Sequence, residues 1–243
     1  MVPGDVTDYF HLSGLTGDEL RAQGYRVWTE PQPAGEWISE GDSTNMLNLL
    51  TPGLRAHEHP SYGGWGGRFV RTGDGVDTWA LADAAQRPDL ASSESSAPSD
   101  PSGPSAPAGD EGSVVRWFAD AQADFAGRLR WSVTPRYEDA NHHPRLAVAP
   151  GVDLAVAAGD AVPLTAVADD PDGDGVTVRW WVYAEAGTGA LGAVVEPASG
   201  STATVHIPAD ARAGDTIHVI AEALDDAATH PLKAYQRVIL TVR

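Results

Sequence analysis

From Pro144 to Arg243 apolar and polar residues alternate. Val176, Val178, Trp180 and Val182 share one face of "GVTVRWWVYA", and Ile217, Val219 and Ala221 share one face of "DTIHVIAEALD". Side chains that alternate in this way mark half-buried strands. Runs such as "LAVAP", "AVPLTAVA", "ATVHIP" and "YQRVILTVR" continue the pattern, with Gly, Pro and Asp turns between them. The spacing of the turns predicts a small two-sheet sandwich.

Before Pro144 the period changes. Val114, Phe118, Ala121, Phe125 and Leu129 recur at helical spacing. They predict a helix from about Val114 to Arg130, with Ser113 as N-cap and Asp110 and Glu111 near its positive end. "LTGDELRAQGY" predicts a short helix opened by Thr16 and Glu19 and stopped by Gly24. "RVWTE" reads as a strand, and Trp37-Ile38 as a buried strand end. Glu40-Gly41-Asp42-Ser43 is then a turn, and Met46, Leu47, Leu49 and Leu50 form a short helix ended by Pro52-Gly53. Strand, acidic turn and helix in that order are how α/β proteins present functional groups.

Residues 83–110 are rich in Ser, Pro, Ala and Asp and predict a disordered insertion. The fold expected is therefore a partial α/β unit over residues 1–142, followed by an all-β immunoglobulin-like sandwich over residues 143–243.

Composition narrows the function classes. The formal net charge is −18, which argues against nucleic acid and anionic membrane surfaces as partners. There are no cysteines, so disulfides and thiolate metal sites are excluded. No stretch is apolar for long enough to span a membrane, and the first residues do not read as a signal peptide. Trp outnumbers Phe by 8 to 4, which suits a sugar-binding surface or simply a Trp-filled core.

Three strings carry candidate chemistry. "HPSYGGWGGRFVRTGDG" places six glycines around Trp65 and Arg68. Either the loop aims Trp65 at a sugar face and Arg68 at its hydroxyls, or Trp65 packs in the core and Arg68 pairs with Glu40 or Asp42. "EGDSTN" offers Glu40 and Asp42 as paired carboxylates for glycosidic chemistry, with Asp42 as a metal ligand and Asn45 as a further ligand contact. The alternative is that Asp42 or Ser43 caps the following helix. "DDPDGDG" starts like a calcium loop, but its twelfth position from Asp170 is Trp181, so it reads as a solvated Asp/Gly turn. His57 and His59 flank Glu58 and offer a metal-ligand pair, although H-x-H alone is a weak signal, and His142 and His143 are adjacent; the preferred reading is surface histidines near a domain junction.

Taken together, "ISEGDSTNMLNLL", "HEHPSYGGWGGRF", "RWFADAQADFAGRLRWSVTPRYEDANHHP", "DDPDGDGVTVRWWVYAEAGT" and "IHVIAEALDDAATHPLKAYQRVILTV" resemble one bacterial family. It is the cellulose-binding family with a nucleoside-hydrolase-like domain and a C-terminal Ig-like domain. The resemblance implies a polysaccharide or small sugar-containing ligand and an extracytoplasmic home. It also implies an N-terminal half with an aspartate-rich calcium motif that this chain lacks. By position Asp42 matches the family's late calcium aspartate, while Gly41 stands where a histidine belongs. Three expectations follow: a carbohydrate-binding or accessory protein; a calcium-dependent hydrolase of N-glycosyl or glycosidic bonds using Asp42 and Glu40; or a truncated, non-catalytic remnant.

Overall fold

The alternating half of the chain forms eight strands in two four-stranded sheets. The structure is a computed structural model that describes residues 44–50, 52–71, 79–82, 115–189 and 192–243. The expected helix at Thr16, the "RVWTE" strand, the turn at Glu40–Asp42 and the 83–110 insertion all lie outside these residues. The described chain begins with the short helix α1 (Thr44–Leu47), the 3-10 turn Pro60–Tyr62 and the hairpin β1 (Phe69–Arg71) and β2 (Trp79–Leu81). Helix α2 (Val115–Val133) and a second 3-10 turn, Tyr137–Asp139, lead into the sheets.

The strands are β3 (Arg145–Ala149), β4 (Asp153–Val156), β5 (Ala161–Asp169), β6 (Val176–Val182), β7 (Val194–Glu196), β8 (Thr202–His206), β9 (Thr216–Asp225) and β10 (Lys233–Val242). One sheet runs β3-β5-β8-β7 and the other β4-β10-β9-β6. All pairings are antiparallel except β4 with β10. The sheets share an apolar core that includes Val148, Leu164, Ala203 and Val205 from one and Trp180, Val219, Ala221 and Leu240 from the other. Of the faces read from the sequence, Ile217, Val219 and Ala221 of β9 and Trp180 of β6 are buried there, with Val178 and Val182 packed against them.

The second sheet is also covered on its outer face. Register places Trp181 opposite Ile220 and Arg237 opposite Ile220 from the other side. These outward residues meet a second core of Leu54, Trp65, Trp117, Tyr183, Ile220 and Tyr235. That core draws on both sides of the expected boundary at residue 142. A strand buried on both faces reads as a near-continuous apolar run, as "IHVIAEAL" does.

Helix α2 does not present the face that its apolar spacing predicts. Phe125 and Leu129 are 41% and 42% exposed, while Trp117 and Asp124 are buried. The reason is electrostatic. Asp120 accepts hydrogen bonds from Lys233 and from the Tyr235 hydroxyl. Asp124 accepts from Arg128 Nε at 2.7 Å and faces His143 Nε2 at 2.6 Å. Buried polar groups with partners can set a helix's rotation against its apolar stripe. Burial alone would lift the Asp124 carboxyl, but the His143 and Arg128 contacts hold it below its usual value. For Lys233 burial pulls down, and Asp120 and Glu222 raise it overall.

Candidate functional site

The glycine–aromatic loop is anchored from below by Arg237. This residue is wholly buried on β10. Its Nε donates to the Leu54 carbonyl at 2.6 Å and its Nη2 to the Gly63 carbonyl at 2.8 Å. The rings of Tyr62 and Tyr183 lie 5.5 and 5.3 Å from the guanidinium. Burial lowers the Arg237 pKa to about 10. Gly63 has φ of +72°, and a Cβ there would lie 2.6 Å from the Tyr183 hydroxyl. Asn48 ties the loop from the other side, accepting from Gly66 N at 3.0 Å and donating to Gly67 O at 3.3 Å.

The sequence-predicted site residues fall differently. Trp65 is 3% exposed and sits among the second-core residues, which is the packing alternative. Arg68 is buried as well, and its carbonyl accepts from Ala82 N at 2.8 Å. Asn45 belongs to α1, but its side chain is outside the described residues, as are Glu40 and Asp42 entirely. The structure thus places Trp65 and Arg68 in one buried region.

An open site lies elsewhere, where α2 meets the turns of the second sheet. A cleft of about 250 Å³ is lined by Arg130, Glu138, Asp139, Asn141, Asp172 and Asp174, with His230 and small residues completing it. Beside it three rings stack in parallel. Tyr137 lies 3.6 Å from His142 at 5° between planes, and His142 lies 5.4 Å from Trp131 at 12°. The Arg128 guanidinium sits 5.5 Å from the Trp131 ring. Trp131 Nε1 donates to Asn141 O at 2.7 Å, which fixes the indole. His142 is fixed by Asp172, which accepts its backbone N–H at 2.6 Å and lies 3.1 Å from Nδ1. Asp172 therefore belongs to both the cleft and the stack.

The Asp-rich turn forms the cleft wall. Asp170 Oδ1 accepts the N–H of Asp172 at 2.8 Å and of Asp174 at 3.4 Å, and Asp226 Oδ1 accepts from Gly175 N at 2.7 Å. Partial desolvation and the carboxylates of Asp170, Asp225, Asp226 and Asp172 push the Asp174 carboxyl above its usual value. Among the described residues no group of three or more His, Cys, Asp or Glu side chains is placed to hold a metal ion. The chemistry on offer is an aromatic face next to a surplus of hydrogen-bond acceptors. In the sequence His142 reads as a surface histidine near a domain junction. Nothing local groups it with Tyr137 of the turn and Trp131 at the end of α2, because no periodicity rule joins a helix end to the loop that follows.

Residues 6–69 match the nucleoside hydrolase-like domain of the cellulose-binding protein Sde182. Residues 161–242 match the C-terminal domain of the cellulose-binding protein Sde0182. No curated protein matches. A solved structure described as a nucleoside hydrolase-related hypothetical protein from Saccharophagus degradans, associated with carbohydrate metabolism, is similar at 29% identity and a TM-score of 0.64. The match covers 86% of this chain and 49% of that one, so the chain spans about half the length of that neighbour. The resemblance read from the sequence holds: the chain matches, in this order, the models of the nucleoside hydrolase-like domain and of the C-terminal domain of this cellulose-binding family.

Proposed function

We propose that the chain binds polysaccharide of the cellulose type as a non-catalytic or accessory protein. The observation that carries this is the parallel stack headed by Tyr137 beside the acceptor-rich cleft. Sugar rings bind by laying a C–H face on an aromatic ring while their hydroxyls donate to carboxylates and amides. The reading includes residues 143–243 as an immunoglobulin-like module and residues 1–142 as the nucleoside-hydrolase-like unit, with the second core joining them. It includes an extracytoplasmic setting, where such polysaccharides are met. Among the described residues no helix is long and apolar enough to cross a membrane.

Retention on insoluble cellulose tests the proposal. Depletion of the protein from solution by cellulose, reversed by soluble glucan, is the expected result. Equal recovery with and without cellulose and related glycans overturns it.

The match over residues 6–69 favours a second reading, because that segment contains Glu40 and Asp42. Under it the chain is a hydrolase of N-glycosyl or glycosidic bonds with Asp42 as calcium ligand. Nucleoside hydrolysis assayed with calcium for the wild type and Asp42→Ala decides between them; equal rates remove the hydrolase.

A further inference from the structure

Resting on the polysaccharide-binding reading, we infer that the ligand is a single neutral glucan chain, with one sugar ring stacked on Tyr137 and the adjoining hydroxyls in the cleft, and not a crystalline cellulose face. Tyr137 is 60% exposed although His142 covers one side of its ring, so the opposite face is open. The ring is held in place before any ligand arrives. His142 backs it, Trp131 backs His142, and Asp172 grips His142 at two points. A preorganised platform loses little side-chain freedom on binding.

Charge selects the ligand. The cleft sets the carboxylates of Glu138, Asp139, Asp172 and Asp174 against Arg130 and His230, with Arg136 pairing the first two at 3.5 and 3.6 Å, which leaves the carboxylates in excess. An acceptor-rich, net negative cleft takes hydroxyl donors and repels uronate carboxylates. Shape selects its form. At about 250 Å³ the cleft is smaller than the roughly 300–1,000 Å³ typical of small-molecule pockets, which suits individual sugar rings of one chain. A crystalline face requires an extended flat row of exposed rings. Among the described residues the strongly exposed aromatics are Tyr137, in the turn, and Phe125, on α2. Two rings on separate elements do not make such a row.

The experiment is calorimetric titration with cellohexaose and with hexagalacturonate, together with retention on amorphous and on microcrystalline cellulose. The proteins are the wild type, Tyr137→Ala and Tyr137→Phe. Wild type and Tyr137→Phe are expected to bind cellohexaose and amorphous cellulose, with Tyr137→Ala weaker by about tenfold. Hexagalacturonate is expected to give no heat. Equal affinity of Tyr137→Ala and wild type overturns the site, as does an equal loss in Tyr137→Phe, which would implicate the hydroxyl instead of the ring face. Retention on microcrystalline cellulose without cellohexaose binding overturns the single-chain ligand. All three of these leave polysaccharide binding standing, whereas failure on every glucan removes that reading itself.

Discussion

Arg237 Nη1 lies 2.8 Å from His218 Nδ1, both side chains buried on adjacent strands of the sheet that carries the second core. Arginine can only donate, so His218 accepts at Nδ1 and carries its proton on Nε2. The remaining guanidinium donors hold the Leu54 and Gly63 carbonyls. One residue of β10 thereby fastens both ends of a loop more than 170 positions away in sequence. Arg237→Met removes these contacts and strands three buried acceptors, each costing about 1–3 kcal/mol. Chemical denaturation is expected to show a loss of about 3 kcal/mol or more. Hydrogen exchange should speed up across residues 52–68 more than across β3 and β5. A uniform change across both sheets would contradict the anchoring role.

The same pair predicts an acid response. Burial, and then the Arg237 charge, lower the His218 pKa from 6.5 to about 3. Between those values the unfolded chain binds a proton that the folded chain does not. Stability is therefore complete above about 6.5, and falls as pH drops toward 3, with a slope of up to about 1.4 kcal/mol per pH unit. His218→Asn keeps an acceptor for Arg237 and removes the titration. Melting temperature measured from pH 7.5 to 4.5 (roughly the upper half of the window) should fall less steeply in this variant. Parallel curves for the two proteins would show that His218 takes up its proton in the fold.

The two sheets were legible because alternation is a local signal. Val176, Val178 and Trp180 declare one face within a few residues, and no partner has to be known. The outer layer was not legible, because it depends on pairs far apart in the chain. The apolar spacing of Phe125 and Leu129 pointed the wrong face of α2 inward, since Asp120 and Asp124 look like solvent residues until Lys233 and His143 are placed beside them. Likewise Arg237 reads as a surface position in "YQRVILTV", and only Leu54 and Gly63 explain its burial. At the candidate site, Asp172 was visible as part of an acidic turn. Its link to His142 crosses 30 residues and joins the cleft to the ring stack.

Trp65 separates binding from packing by a single measurement. Its indole is 3% exposed among Leu54, Trp117, Tyr183 and Tyr235. Truncating a buried Trp to Ala costs about 3–5 kcal/mol when the site cannot collapse. Trp65→Ala should therefore lower the melting temperature sharply, whereas Tyr137→Ala, which loses one ring stack at an exposed position, should lower it by only a few degrees (about 0.5–1.5 kcal/mol). Unchanged melting in Trp65→Ala combined with lost cellulose retention would return Trp65 to the binding surface.

Gly53 marks where the loop joins the sheet. The Pro52 carbonyl accepts from Tyr235 N at 2.7 Å, and the Gly53 carbonyl accepts from Arg237 N at 3.0 Å. These bonds occupy the edge of β10 beyond its pairing with β4, which covers only Ile239–Val242. At this junction Gly53 has φ of +98°, and a Cβ would lie 1.6 Å from the Tyr235 carbonyl oxygen. That oxygen is backbone within a paired strand, so it cannot swing aside as a side chain would. Gly53→Ala must either break the edge pairing or lift the loop, and both expose the second core. The strained backbone alone costs about 1–3 kcal/mol, and the displaced edge adds to it. The variant is expected to lose soluble yield or to melt far below the wild type, while Gly159→Ala, at a similar φ of +82° with nothing within 4 Å, shows the strain without the collision. If the two variants melt together, the junction at Tyr235 contributes nothing beyond backbone strain. A larger loss at Gly53 shows that the chain before residue 142 is built into the sheet that follows it.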